Sequence, residues 1–186
     1  MAQQLVRRRF TADEFHRMAD VGVFGDDDRV ELLAGEVVEM LPIGSRHAAC
    51  VRRLARMFTE SLGGRAIVDV QNPVRLDEWS EPQPDLALLR PRDDFYAAAH
   101  PGPHDVFLLV EVAETSVASD RTHKLPLYAA AGVAAVWLID LPGATLEVCT
   151  EPQDGAYSSA RRVIAADHVA PGAFLDVSLA VADLLT

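Results

Sequence analysis

The chain has only two cysteines, Cys50 and Cys149, far apart and outside any CxxC pairing. That excludes a disulfide framework and a structural zinc finger. Both fit small core residues in a protein of the reducing cytoplasm. No apolar run reaches the length of a membrane helix. The first residues, MAQQLVRRRF, carry arginines but no apolar segment behind them, so they do not resemble a secretory signal. Positive charge is also scarce: 17 Lys and Arg stand against 28 Asp and Glu, a net charge of -11. This excludes a protein that coats nucleic acid through bulk positive charge, while leaving room for a local basic path. No repeat, linker or low-complexity segment interrupts the 186 residues, which suffice for one domain with a proper core, so residues 1–186 are expected to form a single domain. The 49% hydrophobic and 24% charged content is that of a soluble globular protein.

The periodicities place the elements. TADEF has Thr11 three residues before Glu14, a capping box that opens a short helix through about Met18. RVELLAGEVVEM contains two β-prone runs about Ala34-Gly35, the pattern of a hairpin. SRHAACVRRLARMFTESLGG has apolar residues at helical spacing, Ser45 as a cap and Gly63-Gly64 as a stop. Its opposite side carries Arg46, Arg52, Arg53 and Arg56, the one cationic surface on offer: a solvated face or a phosphate contact. RAIVDV, NPVRL, PDLALLRP, VFLLVEVA, VAAVWLID, ATLEVCT and AYSSARRVIA have strand character, with turns at Pro142-Gly143 and Asp154-Gly155. SDRTHKLPLYAAAG is expected to be a helix that Pro126 kinks or truly begins. SLAVADLLT ends the chain as a short helix. Helices falling between strands predict an α/β sandwich.

One residue conflicts with its surroundings. Glu111 lies inside the apolar strand VFLLVEVA. An ionised carboxylate in low dielectric is costly unless something pairs with it. Strand alternation puts Glu111 on a face with Phe107, Leu109 and Ala113. Asp85, after Pro84, opens another short strand, and Lys124 lies on the following helix. Two acids and a lysine on adjacent elements suit metal-assisted phosphodiester hydrolysis. The carboxylates, with the Val112 carbonyl, hold Mg²⁺ (or Mn²⁺). The lysine orients or helps deprotonate the attacking water and offsets charge on phosphorus.

The ordered set QPDLALL, FLLVEVAETS, DRTHK and YAAAGVAAVWLID, preceded by RVELLAGEVVEM and His47, resembles the Uma-two family of restriction-endonuclease-like proteins. That family belongs to the PD-(D/E)XK nuclease superfamily. The resemblance spans about Arg29 to Leu141. It implies a restriction-endonuclease-like mixed β-sheet flanked by helices, with an N-terminal β-hairpin. It also implies an endonuclease acting on DNA, often as a homodimer. By position, Asp85 matches the PD aspartate and Glu111 the second acid. The lysine that usually follows two residues later is replaced by Ala113, and Lys124, one helical turn after Asp120, takes its place. Glu36 and His47 match residues that line the same site. The family's Asp-Gly hairpin turn is Ala34-Gly35 here, and its Ser-Pro-Ser after the second acid is AETSVAS.

Simpler readings exist for each residue. Asp85 could cap a turn, Glu111 could pair with Lys124 alone, and Trp137 and Tyr128 fit core packing without a further role. HPGPHD offers His100, His104 and Asp105, with His123 as another nitrogen. Its prolines disrupt helical spacing and it matches no zinc signature, so no metal site is expected there. The alternative to a nuclease is a non-catalytic interaction or regulatory module on the same fold, which the acidic composition favours.

Overall fold

The computed structural model describes residues 6–25 and 27–185. Its centre is a sheet of six strands: β3 (Ile67–Val70), β4 (Leu86–Leu89), β5 (Val106–Ala113), β6 (Ala135–Asp140), β7 (Thr145–Gln153) and β8 (Ala156–Ile164), in that spatial order. All neighbours are antiparallel except β5 and β6. A parallel pair needs a crossover, and the segment between β5 and β6 supplies one in helical form. β4, β5 and β6 are almost wholly apolar because the sheet is covered on both faces.

Helix α2 (Ser45–Leu62) covers one face, packing Val51, Leu54 and Phe58 against Leu108, Val110 and Trp137. The other face receives Leu125, Tyr128 and Ala129 from the crossover against Leu109, Val136 and Leu138. The expected mixed sheet flanked by helices is therefore present. So is the hairpin of β1 (Val30–Leu33) and β2 (Glu36–Glu39), a separate two-stranded sheet tied to the body by a bridge between Leu32 and Glu81. Helix α1 (Ala12–Asp20) begins on the expected capping box: Glu14 N–H donates to Thr11 Oγ1, and Thr11 N–H donates to the Glu14 carboxylate. It runs two residues beyond Met18.

Several expectations need correction. Ser45 is the first helical residue of α2, and Gly44 caps it without a side-chain hydrogen bond. NPVRL forms no strand. Val74 N–H goes to Pro82 O, Arg75 N–H to Pro101 O and Leu76 N–H to Ser80 O, so no single partner strand collects them, and Pro73 has no donor. Phe107 does not share a face with Leu109. Leu88 pairs with Leu108 but Leu89 with Val106, so Phe107 is the extra residue of a β-bulge and packs on Phe174 across the other face. The crossover is not one uniform helix. It comprises α3 (Val117–Ser119), a π-helical turn (Asp120–Lys124) and α4 (Leu125–Ala130). Pro126, in the first turn of α4, cannot donate back and its ring crowds the carbonyl four residues earlier; the widened turn accommodates both. At the C-terminal end, β9 (His168–Val169) pairs with β10 (Leu179–Ala180), and α5 (Val181–Leu184) is the expected short helix. Among the described residues no helix is long and apolar enough to cross a membrane.

The hairpin turn places Ala34 at φ 50° and Gly35 at φ 81°. A Cβ on Gly35 would lie 2.7 Å from Arg9 Cβ, so glycine is required for space as well as conformation. Ala34 is required for neither. Left-handed backbone costs an ordinary L-residue about 1–2 kcal/mol, and asparagine tolerates it better. Ala34→Asn should therefore stabilise the protein by up to about 1 kcal/mol in urea denaturation.

Candidate active site

β4 and β5 part beyond the Leu86–Val110 pair, leaving the end of β5 without a backbone partner on that side. Asp85 fills the gap with its side chain. Val112 N–H donates to Asp85 Oδ2 at 2.9 Å. His47 Nε2, from the first turn of α2, lies 2.9 Å from the same oxygen, and Gln71 Nε2 donates to Oδ1 at 3.1 Å. The Asp85 carboxylate is thus fixed from three directions. A strand residue projects its N–H and C=O to the same edge, so the Val112 carbonyl lies on the Asp85 side.

Glu111 is 3% exposed. Tyr128 donates its hydroxyl to Glu111 Oε1 at 2.5 Å, and Lys124 Nζ lies 3.5 Å from that oxygen. Lys124 is buried too. Its ammonium is 3.0 Å from Glu31 Oε2 on β1 and donates to Gln83 O at 3.4 Å. Gln83 N–H in turn donates to Glu31 Oε2 at 3.0 Å. The lysine therefore joins the second acid on the central sheet to an acid on the separate hairpin. The π-helical turn carries it there: Asp120 and Lys124, at its two ends, are both buried.

Burial dominates the electrostatics. It pushes Glu111 up to about 8; Lys124 opposes the shift, while Asp85 and Asp120 add to it. Burial alone would lower Lys124, but the charges of Glu111, Glu31 and Asp120 outweigh it and hold the ammonium protonated above its ordinary range. Burial and the Glu111 charge raise Tyr128 well above a free phenol, so it remains a hydrogen-bond donor. Burial also raises Asp120, against its hydrogen bond from the Ser116 hydroxyl at 2.6 Å. For His47, burial disfavours the imidazolium, yet the hydrogen bond and charge of Asp85, with Glu114 beyond, lift it overall.

Glu111, Asp120 and His47 each bind a proton more tightly folded than unfolded. Their contribution to stability is complete at low pH and is lost as pH rises; for Glu111 the window runs from about 4.5 to about 8, and Asp120 and His47 act in the same direction. In EDTA the melting temperature of the wild type should fall across that window more steeply than that of Glu111→Gln, as thermal melts at successive pH values would reveal.

These groups line a cleft of about 1110 Å³ between the hairpin, the end of the sheet and the crossover. Seven carboxylates face it (Glu31, Glu36, Glu39, Asp85, Glu111, Glu114 and Asp120) against Arg9, Arg29 and Lys124. A phosphodiester would meet repulsion there unless a cation intervened.

Of the residues expected at the site, Asp85, Glu111, Val112, Lys124 and His47 converge on the cleft. Glu36 lines the same cleft but stands apart from the buried cluster: its side chain is 59% exposed and lies 3.7 Å from Arg7. Glu31, Gln83 and the Tyr128 hydroxyl were not anticipated. Glu31 carried the same signal as Glu111, a carboxylate inside an apolar run (VELL). Ala113, two residues after Glu111, is fully buried. His104 and Asp105 belong to a 3₁₀ turn and His123 lines the cleft, so these three do not gather around His100. On α2, Arg46 donates to Leu141 O and Arg53 to Asp183 O, while Arg56 is 3.5 Å from Glu60, so much of the expected cationic face engages its own chain.

Comparison with known proteins bears on the fold and the family. No curated protein matches the chain. Among solved structures, one described as "a putative nuclease belonging to DUF820" from Anabaena variabilis shares the fold with a TM-score of 0.71, covering 95% of this chain and 97% of its own at 15% identity. The Uma2 family, described as "Putative restriction endonuclease", matches residues 12–182. That match spans the hairpin, both acids, the crossover lysine and the sheet, and the chain belongs to the Uma2 family.

Proposed function

We propose that the protein is a Mg²⁺-dependent endonuclease that hydrolyses phosphodiester bonds in DNA, with Mn²⁺ as a substitute. The observation that carries this reading is the Lys124 ammonium, 3.5 Å from Glu111 in a cleft that Asp85 and the Val112 edge also line. The donor set fits the metal. Mg²⁺ prefers hard oxygens and keeps several waters, and one or two carboxylates with a carbonyl suffice. The excess of carboxylates over cations in the cleft is also what a divalent ion would offset. Asp85, Glu111 and the Val112 carbonyl would hold it. When bound, Mg²⁺ supplies Lewis acidity at a phosphoryl oxygen and a more acidic water.

The remaining roles belong to the chain's own groups. Lys124, held protonated, orients the attacking water and places positive charge beside the pentavalent phosphorus centre. It does not act as the base, because its carboxylate neighbours favour the ammonium form. Glu31 and the Gln83 carbonyl aim the ammonium. Tyr128 fixes one oxygen of Glu111. His47 and Gln71 fix the Asp85 carboxylate. Two clefts in a homodimer would address two strands. β8, which ends the sheet, is the edge we assign to that pairing, and light scattering at micromolar concentration tests it.

The decisive experiment is nicking of supercoiled DNA by purified protein with Mg²⁺ or Mn²⁺, alongside Asp85→Ala. Activity should require metal, disappear in EDTA and be lost in the variant. Equal nicking by both proteins would identify a contaminant and remove the catalytic reading. Calorimetry showing no metal binding at millimolar concentration would instead favour a non-catalytic module.

A further inference from the structure

A second cluster of ligating groups lies outside the cleft. His16 is on α1, Glu81 on the segment that bridges to the hairpin, and His100 on the loop between β4 and β5. One ligand atom from each lies within 4.8 Å of the others. None of the three lines the cleft. The His16 and His100 rings meet edge to face, with centroids 5.9 Å apart.

Glu81 makes this more than a surface grouping. It is 2% exposed, the most unfavourable setting for a carboxylate that lacks full compensation. Its Oε1 is 2.6 Å from His16 Nε2. Its Oε2 is buried and has no hydrogen-bond partner among the described residues. Nearly all buried polar atoms find a partner, so an orphan oxygen beside two imidazoles points to a missing ligand. The backbone is fixed on each side. Glu81 exchanges hydrogen bonds with Leu32, Ala12 N–H holds the start of α1 to Glu78 O, and Arg75 N–H holds Pro101 O next to His100. The three side chains are thus presented by anchored segments, not gathered by chance on a mobile tail.

We infer that His16, Glu81 and His100 form a binding site for a late first-row divalent cation of the Zn²⁺ type. Two imidazole nitrogens and one carboxylate are a Zn²⁺ donor set that leaves a fourth position for water. The softer nitrogen ligands separate this site from the all-oxygen set at Asp85 and Glu111, which suits Mg²⁺. Zn²⁺ takes the place of the hydrogen between His16 Nε2 and Glu81 Oε1, with the neutral imidazole carrying its hydrogen on Nδ1, and engages the orphan oxygen. The ion then ties α1 and the β4–β5 loop to the segment that bridges the hairpin.

The test uses the whole chain carrying Asp85→Asn/Glu111→Gln, which removes both carboxylates proposed to hold Mg²⁺, stripped with EDTA and titrated with Zn²⁺ and with Co²⁺. One equivalent of Zn²⁺ should bind and raise the melting temperature, and Co²⁺ should give the visible absorption of a four-coordinate site. Loss of a group supporting a metal ligand already costs about 10–100-fold in affinity. Removing a direct ligand should therefore weaken Zn²⁺ binding by about 100-fold or more in His100→Ala, and likewise in His16→Ala. His100 is exposed, so its replacement leaves the core intact. Absence of Zn²⁺ binding at 100-micromolar-order concentration, or binding that neither histidine substitution weakens, overturns the site. Because the readout is binding and neither histidine lines the cleft, this result is independent of whether the protein cleaves DNA.

Discussion

Glu111→Gln should abolish DNA cleavage without unfolding the protein. Metal-centred charge stabilisation in such a site is worth several kcal/mol, which corresponds to a rate loss of about 10³-fold or more. The amide is nearly the size of the carboxylate, and its oxygen can still accept the Tyr128 hydroxyl. Lys124 keeps Glu31 as its counter-ion. Since burial already disfavours the charged form of Glu111, the metal-free variant should be at least as stable as the wild type at pH 8. Nicking rates measured across a Mg²⁺ titration, paired with melts in EDTA, test both halves together. A variant that cleaves at the wild-type rate would remove Glu111 from the chemistry. A variant that is inactive only because it has unfolded would reveal itself in the melt.

Lys124→Met should do the opposite to stability. It leaves Glu31 and Glu111 buried without their shared cation. Removing one partner from a buried ion pair typically costs about 3–5 kcal/mol, or roughly 10 °C of melting temperature for a chain of this length. Activity should be lost as well, because the ammonium beside Glu111 is gone. The two effects separate in the triple variant Lys124→Met/Glu31→Gln/Glu111→Gln. With all three charges gone, most of the lost stability should return, since neutral groups of similar volume often replace buried ions without penalty. Cleavage should not return. Failure of the triple variant to regain stability, as read by urea denaturation, would mean that Lys124 holds the fold through something other than these carboxylates.

Much of the site was legible because buried charge is rare. Glu111 stood out among Val, Phe and Leu, and the order of Asp85, Glu111 and Lys124 along the chain did the rest. Glu31 sent the same signal in VELL, but that strand is only four residues long and sits among other acids. Tyr128 was expected only to pack. Its ring does, but a tyrosine in an apolar interior also needs an acceptor for its hydroxyl, and Glu111 was the one within reach. The bulge at Phe107 depends on the strand pairing of β4 with β5, which alternation within β5 alone does not encode. NPVRL misled because its apolar residues are indeed buried, yet its backbone donors go to scattered loops. The grouping of His16, Glu81 and His100 joins three distant stretches of chain, so no local spacing could announce it. The sheet and its flanking helices were easier, since continuous apolar strands and a long amphipathic helix are local patterns.

The widened backbone between Asp120 and Lys124 acts as an indexing device. A regular α-helix advances by about 100° per residue. Excising a single residue from that segment would restore regular winding and move the ammonium relative to Asp120 and the end of β5. The Lys124 ammonium thus depends on helical phase, so a change of length in the crossover would displace it even where a change of side chain would not.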